Sequence, residues 1–262
     1  MFSPGCREVT APVLVDAHCH LDECGDPIAA ANAARRVGAV IIAMTSTPAA
    51  YQPAASRFAG MAHVRVALGL HPLKAGRIRE ADIAMFATLM ARVRYIGEVG
   101  LDRSPAGSPS WDRQVKVFER LLSLPGASRK LWSVHTRRAE TVAIPMLVDA
   151  GVPAVLHWYT GSSSMLERAL AAGLYFSVNR SMLNSSSGRR ILGVLPKERV
   201  LTETDAPYVR SPRQNDPASD VQDVVAALGV RWDVSAAEAQ RIIFANMSAA
   251  AAITSEPAGD CG

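Results

Sequence analysis

The chain has 262 residues, of which 49% are hydrophobic and 20% are charged, and its net charge is +4. This length accommodates two small domains or one large α/β barrel, and the composition is typical of a soluble globular protein. No run approaches the roughly 18 apolar residues of a membrane-spanning helix, so we expect no transmembrane helix. The mild basicity permits a phosphate-bearing partner but does not require one.

The N-terminal segment, residues 1–10, lacks the positively charged and apolar regions of a signal peptide. The cysteines, at positions 6, 19, 24 and 261, form no Cys-x-x-Cys framework. We therefore expect reduced thiols and a cytoplasmic protein. We expect one domain over residues 11–254, flanked by flexible termini at residues 1–10 and 255–262.

Predicted strands and helices alternate along the chain. The strands are predicted at residues 12–20, 39–44, 64–68, 95–99, 131–134, 154–156, 174–178 and 199–202. The helices are predicted at residues 27–37, 48–58, 80–92, 111–124, 138–150 with a kink or break at Pro145, 162–172, 188–195, 219–228 and 235–253. Eight strands in this alternation predict a single (β/α)8 TIM barrel. The rival is an open doubly wound sheet, whose usual Gly-x-Gly-x-x-Gly signature is missing.

The first predicted strand ends in Asp16-Ala17-His18-Cys19-His20. Alternate side chains of a strand point to the same face, so His18 and His20 point together and Cys19 points into the packing. Two imidazoles on one face at a strand end can hold one metal ion. Taken alone, the pair could equally be two partly exposed loop histidines.

Further polar residues follow the later strands, which favours the metal interpretation. His71, Glu98, His135, His157 and Asp205 each stand at a predicted strand end, where the active sites of such barrels lie. His63 precedes its strand and is predicted to be a surface residue.

Six of these residues form a mixed nitrogen and oxygen ligand set: His18, His20, Glu98, His135, His157 and Asp205. Six ligands are too many for one tetrahedral ion and suit two ions that share a carboxylate. Paired ions about 3.5–4 Å apart recur in phosphatases and nucleases, where they clamp phosphate and activate water. The alternative is a set of hydrogen-bonded histidines in a polar barrel mouth.

The motifs as a group resemble the TatD family of metal-dependent deoxyribonucleases. The matching segments are Val15-Asp16-Ala17-His18-Cys19-His20-Leu21-Asp22, Leu68-Gly69-Leu70-His71-Pro72, Ile96-Gly97-Glu98-Val99-Gly100-Leu101-Asp102, Val134-His135-Thr136-Arg137, Leu156-His157-Trp158-Tyr159-Thr160-Gly161, Glu203-Thr204-Asp205-Ala206-Pro207-Tyr208 and Asn215-Asp216-Pro217. The resemblance covers residues 14–253 and keeps the family order and spacing.

This resemblance implies a metal-dependent hydrolase that cleaves DNA, single-stranded or from an end, with two divalent ions such as Mg, Mn or Zn. By analogy, one ion is held by His18, His20, Glu98 and Asp205, and the other by Glu98, His135 and His157. The resemblance also gives Glu98 and Asp205 catalytic roles, with Asp205 orienting or deprotonating the attacking water. His71 would lie near the substrate phosphate or among the residues that surround and support the metal ligands.

Some segments depart from the common family pattern. Arg103-Ser104-Pro105 replaces aromatic residues, and Leu121 stands where a second glutamine is frequent. The segments at residues 133–139, 157–162 and 176–179 are most similar to one branch, the TatD-like component, QatD, of Qat-type antiphage operons. That similarity implies a role in bacterial defence and contacts with other proteins of such an operon.

Other candidates for substrate binding carry open alternatives. Trp158 and Tyr159 could stack on a nucleic-acid base or pack at the barrel mouth. Arg137 and Arg138 could meet a phosphate or form a solvated helix start. The Arg35-Arg36 pair fits an exposed helix face.

Two competing functions remain at this stage. One is an amidohydrolase acting on a small-molecule amide or ester, although that class often carries a carbamylated lysine where this chain has Glu98. The other is a subunit kept for assembly of a defence complex, for which lost ligands would be the sign, and none of the six is lost.

Overall fold

The computed structural model describes residues 13–209 and 217–253. The predicted flexible termini, the exact domain limits at residues 11 and 254, and most of the Asn215-Asp216-Pro217 segment lie outside these ranges. No helix in the described ranges is long and apolar enough to cross a membrane.

Eight parallel strands form the centre of the fold within the described residues. Their bounds are β1 Leu14–Cys19, β2 Ala39–Ala43, β3 Val64–Val66, β4 Tyr95–Gly100, β5 Leu131–His135, β6 Ala154–His157, β7 Tyr175–Val178 and β8 Val200–Thr202. Strands β1 to β3 pair in sequence order in one sheet, and β4 to β8 do so in a second. Each pairing within these two sheets joins consecutive strands in parallel, as a TIM barrel requires.

Two seams join the sheets into the predicted (β/α)8 fold. At the first, Leu68 beyond β3 bridges to Ile96 in β4. At the second, the Thr202 hydroxyl of β8 donates to the carbonyl of Val15 in β1. Beyond that point Asp205 N donates to the His18 carbonyl at 2.9 Å. The carboxyl ends of the first and last strands are therefore tied together.

Helices connect the strands. Their bounds are α1 Pro27–Arg36, α2 Pro48–Arg57, α3 Glu80–Met90, α4 Trp111–Leu122, α5 Glu140–Ala150, α6 Ser163–Ala171, α7 Arg180–Asn184, α8 Ser186–Val194, α9 Pro217–Arg231 and α10 Ala236–Ala252. Polar side chains begin several of them: Asp26 accepts from Ala29 N at 2.9 Å, and Ser162 accepts from Met165 N at 3.4 Å. These bonds satisfy amide groups that the first helical turn leaves free.

The structure corrects three details of the predicted elements. Helix α5 begins at Glu140, two residues late, because Arg138 has a left-handed φ of 56° that no α-helix contains. It then continues without a break through Pro145. The five-residue helix α7 was not predicted, because it is too short to show a helical period.

Large apolar side chains fill the space between strands and helices. Trp132, Phe118 and Phe176 are at most 1% exposed. The amphipathic helix α4 buries Phe118 and Leu121 against this core. At the carboxyl end of β4, Gly100 has a φ of 129°, and a Cβ there would lie 2.1 Å from the His135 carbonyl oxygen. Only glycine lets β4 and β5 approach so closely at that point.

Candidate metal-binding active site

A cavity of about 440 Å³ opens at the carboxyl ends of the strands. Its walls include five of the six predicted ligands, His20, Glu98, His135, His157 and Asp205. The sixth, His18, is completely buried beneath them. The strand ends thus bring all six predicted ligands into one cluster, and no pair of them lies at opposite ends of the barrel.

His18 and His20 confirm the alternation of β1. Their Nε2 atoms lie 3.3 Å apart, although β1 ends at Cys19, one residue before the prediction. His20 N donates to the Ala206 carbonyl at 2.9 Å, so the segment after β8 fixes the position of this histidine. The buried Cys19 thiol points into the packing, as predicted.

Glu98 lies at the centre of the cluster. Its Oε1 is 2.6 Å from His135 Nδ1 and 2.9 Å from His157 Nε2. Its Oε2 is 3.2 Å from His20 Nε2 and 3.2 Å from His71 Nε2. The two carboxylate oxygens therefore face two different groups of histidines.

Outer partners orient the rings of two histidines. Ser133 Oγ lies 2.7 Å from His18 Nδ1, and Asp102 Oδ2 lies 2.9 Å from His135 Nε2. A proton held on the outer nitrogen leaves the inner nitrogen with its lone pair directed into the cluster. His157 has a looser arrangement, with its Nδ1 3.7 Å from the buried carboxylate of Glu203.

Glu203 is itself held firmly. Trp158 N donates to its Oε1 at 3.1 Å, Asn179 Nδ2 donates to the same oxygen at 2.8 Å, and the Ser177 hydroxyl donates to Oε2. Glu203 is completely buried, so these bonds satisfy a carboxylate that cannot reach water. The backbone of Trp158, with φ 39°, is locked in a left-handed turn above His157.

Asp205 approaches the β1 histidines from the other side. Its Oδ1 is 3.7 Å from both His18 Nε2 and His20 Nε2. The residue has a left-handed φ of 49°, a conformation that the bonds from the segment after β8 to β1 hold in place. Burial raises the pKa of Asp205 to about 7, with smaller contributions from Glu203 and Glu98 opposed by His157.

The charges in the cluster compensate one another. Burial acts to raise the pKa of Glu98, but the surrounding histidines, His71 and His157 first, hold it well below its ordinary value. Burial acts to lower the pKa of His157, and the carboxylates of Glu98 and Glu203 outweigh it and raise this pKa well above 6.5. Burial and the neighbouring His157 lower the pKa of His18.

The donor atoms of the cluster fit metal coordination. Three overlapping groups, each with its donor atoms within 4.8 Å of one another, are His18 with His20 and Asp205, His18 with Glu98 and His157, and His71 with Glu98 and His135. Imidazole nitrogens and carboxylate oxygens are the ligands of zinc, manganese and related divalent ions. The cluster can therefore hold metal.

His71 lies within hydrogen-bond distance of Glu98, closer than a residue that contacted only the substrate phosphate would need to be. Leu73 N donates to its Nδ1 at 3.1 Å, so the neutral ring carries its proton on Nε2 and directs it at Glu98 Oε2, 3.2 Å away. In this tautomer His71 is a hydrogen-bond donor rather than a ligand.

The other predicted substrate residues separate. Trp158 and Arg137 line the cavity. Arg138 is exposed and does not. Tyr159 is completely buried, packs edge-on against Phe176, and donates its hydroxyl to the Ser162 carbonyl at 2.7 Å. For Tyr159 the packing alternative is correct and base stacking is wrong, because the turn at Trp158 directs the next side chain inward.

Several site residues were not singled out from the sequence. Asp102 and Glu203 lie within the segments that resemble the TatD family, and their positions beside the proposed ligands could have indicated a role in the site. Glu23 and Tyr208 also line the cavity and are hydrogen bonded to each other across 185 positions of sequence. No local pattern predicts such a contact.

A parallel barrel with histidines and carboxylates clustered at the carboxyl ends of its strands is the architecture of a metal-dependent hydrolase. The comparison with known families agrees and narrows the class. Residues 15–251 match the family described as TatD related DNase, and the chain belongs to that family. It is accordingly an enzyme of the deoxyribonuclease type.

Individual relatives extend this result. The chain is 29% identical over 227 residues to human "Deoxyribonuclease TATDN3", covering 78% of this chain and 82% of that protein. It is 34% identical over 157 residues to "3'-5' ssDNA/RNA exonuclease TatD" of Edwardsiella piscicida, covering 57% and 60%. The crystal structure of the TatD homologue YJJV from Escherichia coli has a TM-score of 0.80 at 24% identity, covering 89% and 96%, which shows the same fold.

Proposed function

We propose that this chain is a two-metal nuclease that hydrolyses phosphodiester bonds of DNA, acting on single strands or from an end. The observation that carries the proposal is the central position of Glu98, whose two oxygens face separate groups of histidines. A carboxylate in that position can bridge two ions and offset their mutual repulsion.

The proposed ligands follow from this bridge. One divalent ion is held by His18, His20, Glu98 and Asp205, and a second by Glu98, His135 and His157. Ligand sets of imidazole and carboxylate groups are compatible with Zn or Mn. Mg prefers oxygen ligands and is compatible with sets that contain fewer nitrogen ligands. Asp102 and Ser133 hold their histidines in the tautomer that such binding needs.

Bound divalent ions would supply charge neutralisation for a phosphate and a water of lowered pKa. Asp205 would orient that water and accept its proton, since burial places the pKa of this carboxyl at about 7 among the chain's own charges. His71 would present its Nε2 proton toward Glu98 and the adjoining phosphate position.

The rim of the cavity suggests how a nucleic acid would bind. Arg137 is exposed, lines the cavity and forms no ion pair with a described residue, so it is available for a phosphate. Trp158 and Tyr208 present aromatic surface beside it, and Tyr208 takes the place that Tyr159 was predicted to hold. Aromatic side chains stack on unpaired bases, which supports a single-stranded or frayed end as the substrate.

We further propose a cytoplasmic role in bacterial antiphage defence, with the single domain spanning residues 11–254. Three segments support it, at residues 133–139, 157–162 and 176–179, by their resemblance to the QatD branch. The free thiols of Cys19 and Cys24 fit a reducing compartment. Contacts with other proteins of a Qat-type operon belong to this proposal, and loss of phage protection in a strain lacking this chain tests it.

The test of the nuclease function is cleavage by the purified protein loaded with Mg, Mn or Zn. The substrates are end-labelled single strands, the matching duplex, and a circular single strand of the same length. We expect metal-dependent cleavage of the linear single strands and its inhibition by EDTA. Resistance of the circle would show attack from an end, and cleavage of the circle would show attack within single strands. A protein that binds two ions but cleaves none of these would instead support the small-molecule hydrolase or the assembly subunit.

A further inference from the structure

The cluster histidines differ in what faces the ring nitrogen directed away from the cluster. Buried partners lie close to two of them, Ser133 at 2.7 Å from His18 and Asp102 at 2.9 Å from His135. His20 is different. Its side chain is 2% exposed, yet its Nδ1 has no hydrogen-bond partner among the described residues. A buried ring nitrogen without a hydrogen-bond partner is rare in proteins and calls for an explanation.

Glu23 is the acidic residue that faces this nitrogen. Its Oε1 lies 4.0 Å from His20 Nδ1, and its side chain is 35% exposed. Ser46 Oγ donates to Oε1 at 2.9 Å, and the Tyr208 hydroxyl donates to Oε2. Residues from beyond β2 and β8 therefore hold this carboxylate beside His20. The Tyr208 ring also packs edge-on with His20, with centroids 5.1 Å apart.

We propose that Glu23 is a positioning residue for His20. Its carboxylate accepts a hydrogen bond from the Nδ1–H group and so keeps the Nε2 lone pair directed at a bound metal ion. This inference rests on the proposed metal-binding function of His20.

Two physical arguments support this assignment. Coordination through one ring nitrogen makes the N–H on the other a stronger donor, and metal-bound histidines almost always give that proton to an oxygen. A shift of about 1 Å brings the 4.0 Å separation into hydrogen-bond range, which a partly exposed side chain can make. His18 and His135 need no such shift, because their partners are already in place. His157 Nδ1 also lacks a hydrogen-bond partner, but the carboxylate that faces it at 3.7 Å, Glu203, is locked in the core.

The test is a double-mutant cycle on metal affinity. Zinc and manganese dissociation constants are measured by titration calorimetry for the parent, Glu23→Ala, His20→Ala and the double variant. We expect Glu23→Ala to weaken one of the two ions about 10–100-fold. The same substitution should cost almost nothing when His20 is already alanine, because Glu23 acts through that ring. Glu167→Ala, an exposed change on α6, is the matched control and should bind like the parent.

A second readout follows the proton itself. In the zinc-loaded parent, nitrogen-15 NMR of the histidine rings should show a slowly exchanging Nδ1 proton on His20, and Glu23→Ala should lose that signal while the other ring protons persist. Tyr208→Phe, which frees Glu23 without removing it, should give a smaller loss of affinity than Glu23→Ala.

The outcomes separate the two levels of the account. If the parent binds two ions and cleaves DNA while Glu23→Ala keeps parental affinity, or if the two single effects add in the double variant, the inference about Glu23 is wrong and the nuclease proposal stands. If the parent binds neither zinc nor manganese, the proposed function fails, and the inference fails with it.

Discussion

The floor and the rim of the cavity are built on different physical principles. The floor consists of His18, His20, Glu98, His135, His157 and Asp205. The rim consists of Leu73, Lys74, Arg137, Trp158 and Tyr208. On the floor each group is buried or nearly so and is fixed by neighbours of opposite or complementary charge. On the rim, Tyr208 is 57% exposed and Leu73 43%.

This difference separates chemistry from selection. A preorganised floor fixes donor atoms before any ion or substrate arrives, which is the condition for electrostatic catalysis. The rim is exposed, and few of its cationic side chains are fixed in position. It can therefore bind different nucleic-acid strands without changing the floor. Substitutions on the floor should therefore change metal binding or turnover. Substitutions on the rim should change substrate affinity alone, except at Tyr208, whose hydroxyl also holds Glu23 beside His20.

Asp205→Asn tests the floor most severely. The substitution removes the group proposed to take the proton of the attacking water, and general-base catalysis is worth about 10²–10⁴-fold. We expect turnover to fall in that range, while the ion on the side of His135 and His157 is retained. Single-turnover hydrolysis with metal analysis of the same sample measures both. Parental turnover would remove Asp205 from the mechanism.

Asp102→Asn asks whether the outer partners of the floor matter. The carboxylate that orients His135 has its pKa lowered to about 2; burial opposes this shift, and the hydrogen bonds from His135 and Ser104 outweigh it. Losing that charge should weaken metal binding about 10–100-fold. Asp112→Asn, on the exposed face of α4, is the control. Equal affinities in both variants would mean that the outer carboxylate is dispensable.

The raised pKa values of the floor predict a pH dependence of metal binding. The pKa of His157 lies well above its ordinary value and that of His20 is also raised, in each case by carboxylates that outweigh burial. Below these raised values an ion must displace protons, so affinity should fall about tenfold per pH unit for each proton released. Titrations in buffers of different ionisation enthalpy count those protons. The Arg137→Ala rim variant should show the same change of metal affinity with pH as the parent. A different pH dependence in that variant would mean that the rim also affects metal binding.

Arg137→Ala should have the smallest effect and act on substrate alone. We expect a higher KM with kcat near the parental value, and a salt dependence of binding reduced by about one phosphate contact. Arg138→Ala, a neighbouring arginine that does not line the cavity, provides the comparison. The parental slope itself should be shallow, and a slope equivalent to about ten phosphates would contradict local contact.

The sequence predicted the floor because strand alternation and strand ends are local properties. His18 and His20 meet as the alternation of β1 requires, and Glu98 and His135 meet because parallel strands end at one edge. The rim depends on turns that composition does not reveal. The left-handed φ of Trp158 reverses the side-chain pattern and buries Tyr159, which made the stacking prediction wrong.

Long-range contacts of the site were equally hidden. Tyr208 meets Glu23 only because the segment after β8 folds over β1. Gln114 on α4 accepts from Asp102 N at 2.7 Å and so braces a residue that itself braces His135. The contact between Tyr208 and Glu23 follows from closure of the barrel, which no single segment encodes. The contact between Gln114 and Asp102 depends on the path of the loop that joins β4 to α4.

Glu98 is proposed to serve two ions at once, and the Glu98→Gln substitution decides whether it does. The substitution keeps the side-chain volume and removes the charge that faces both groups of histidines. Metal content per chain and phosphodiester hydrolysis are measured on the same samples, beside Asp205→Asn, Glu167→Gln and an EDTA control. We expect Glu98→Gln to lose both ions together and with them all hydrolysis, whereas Asp205→Asn should keep one ion. A Glu98→Gln protein that holds one ion at parental affinity, or cleaves DNA like the parent, would contradict this role of Glu98.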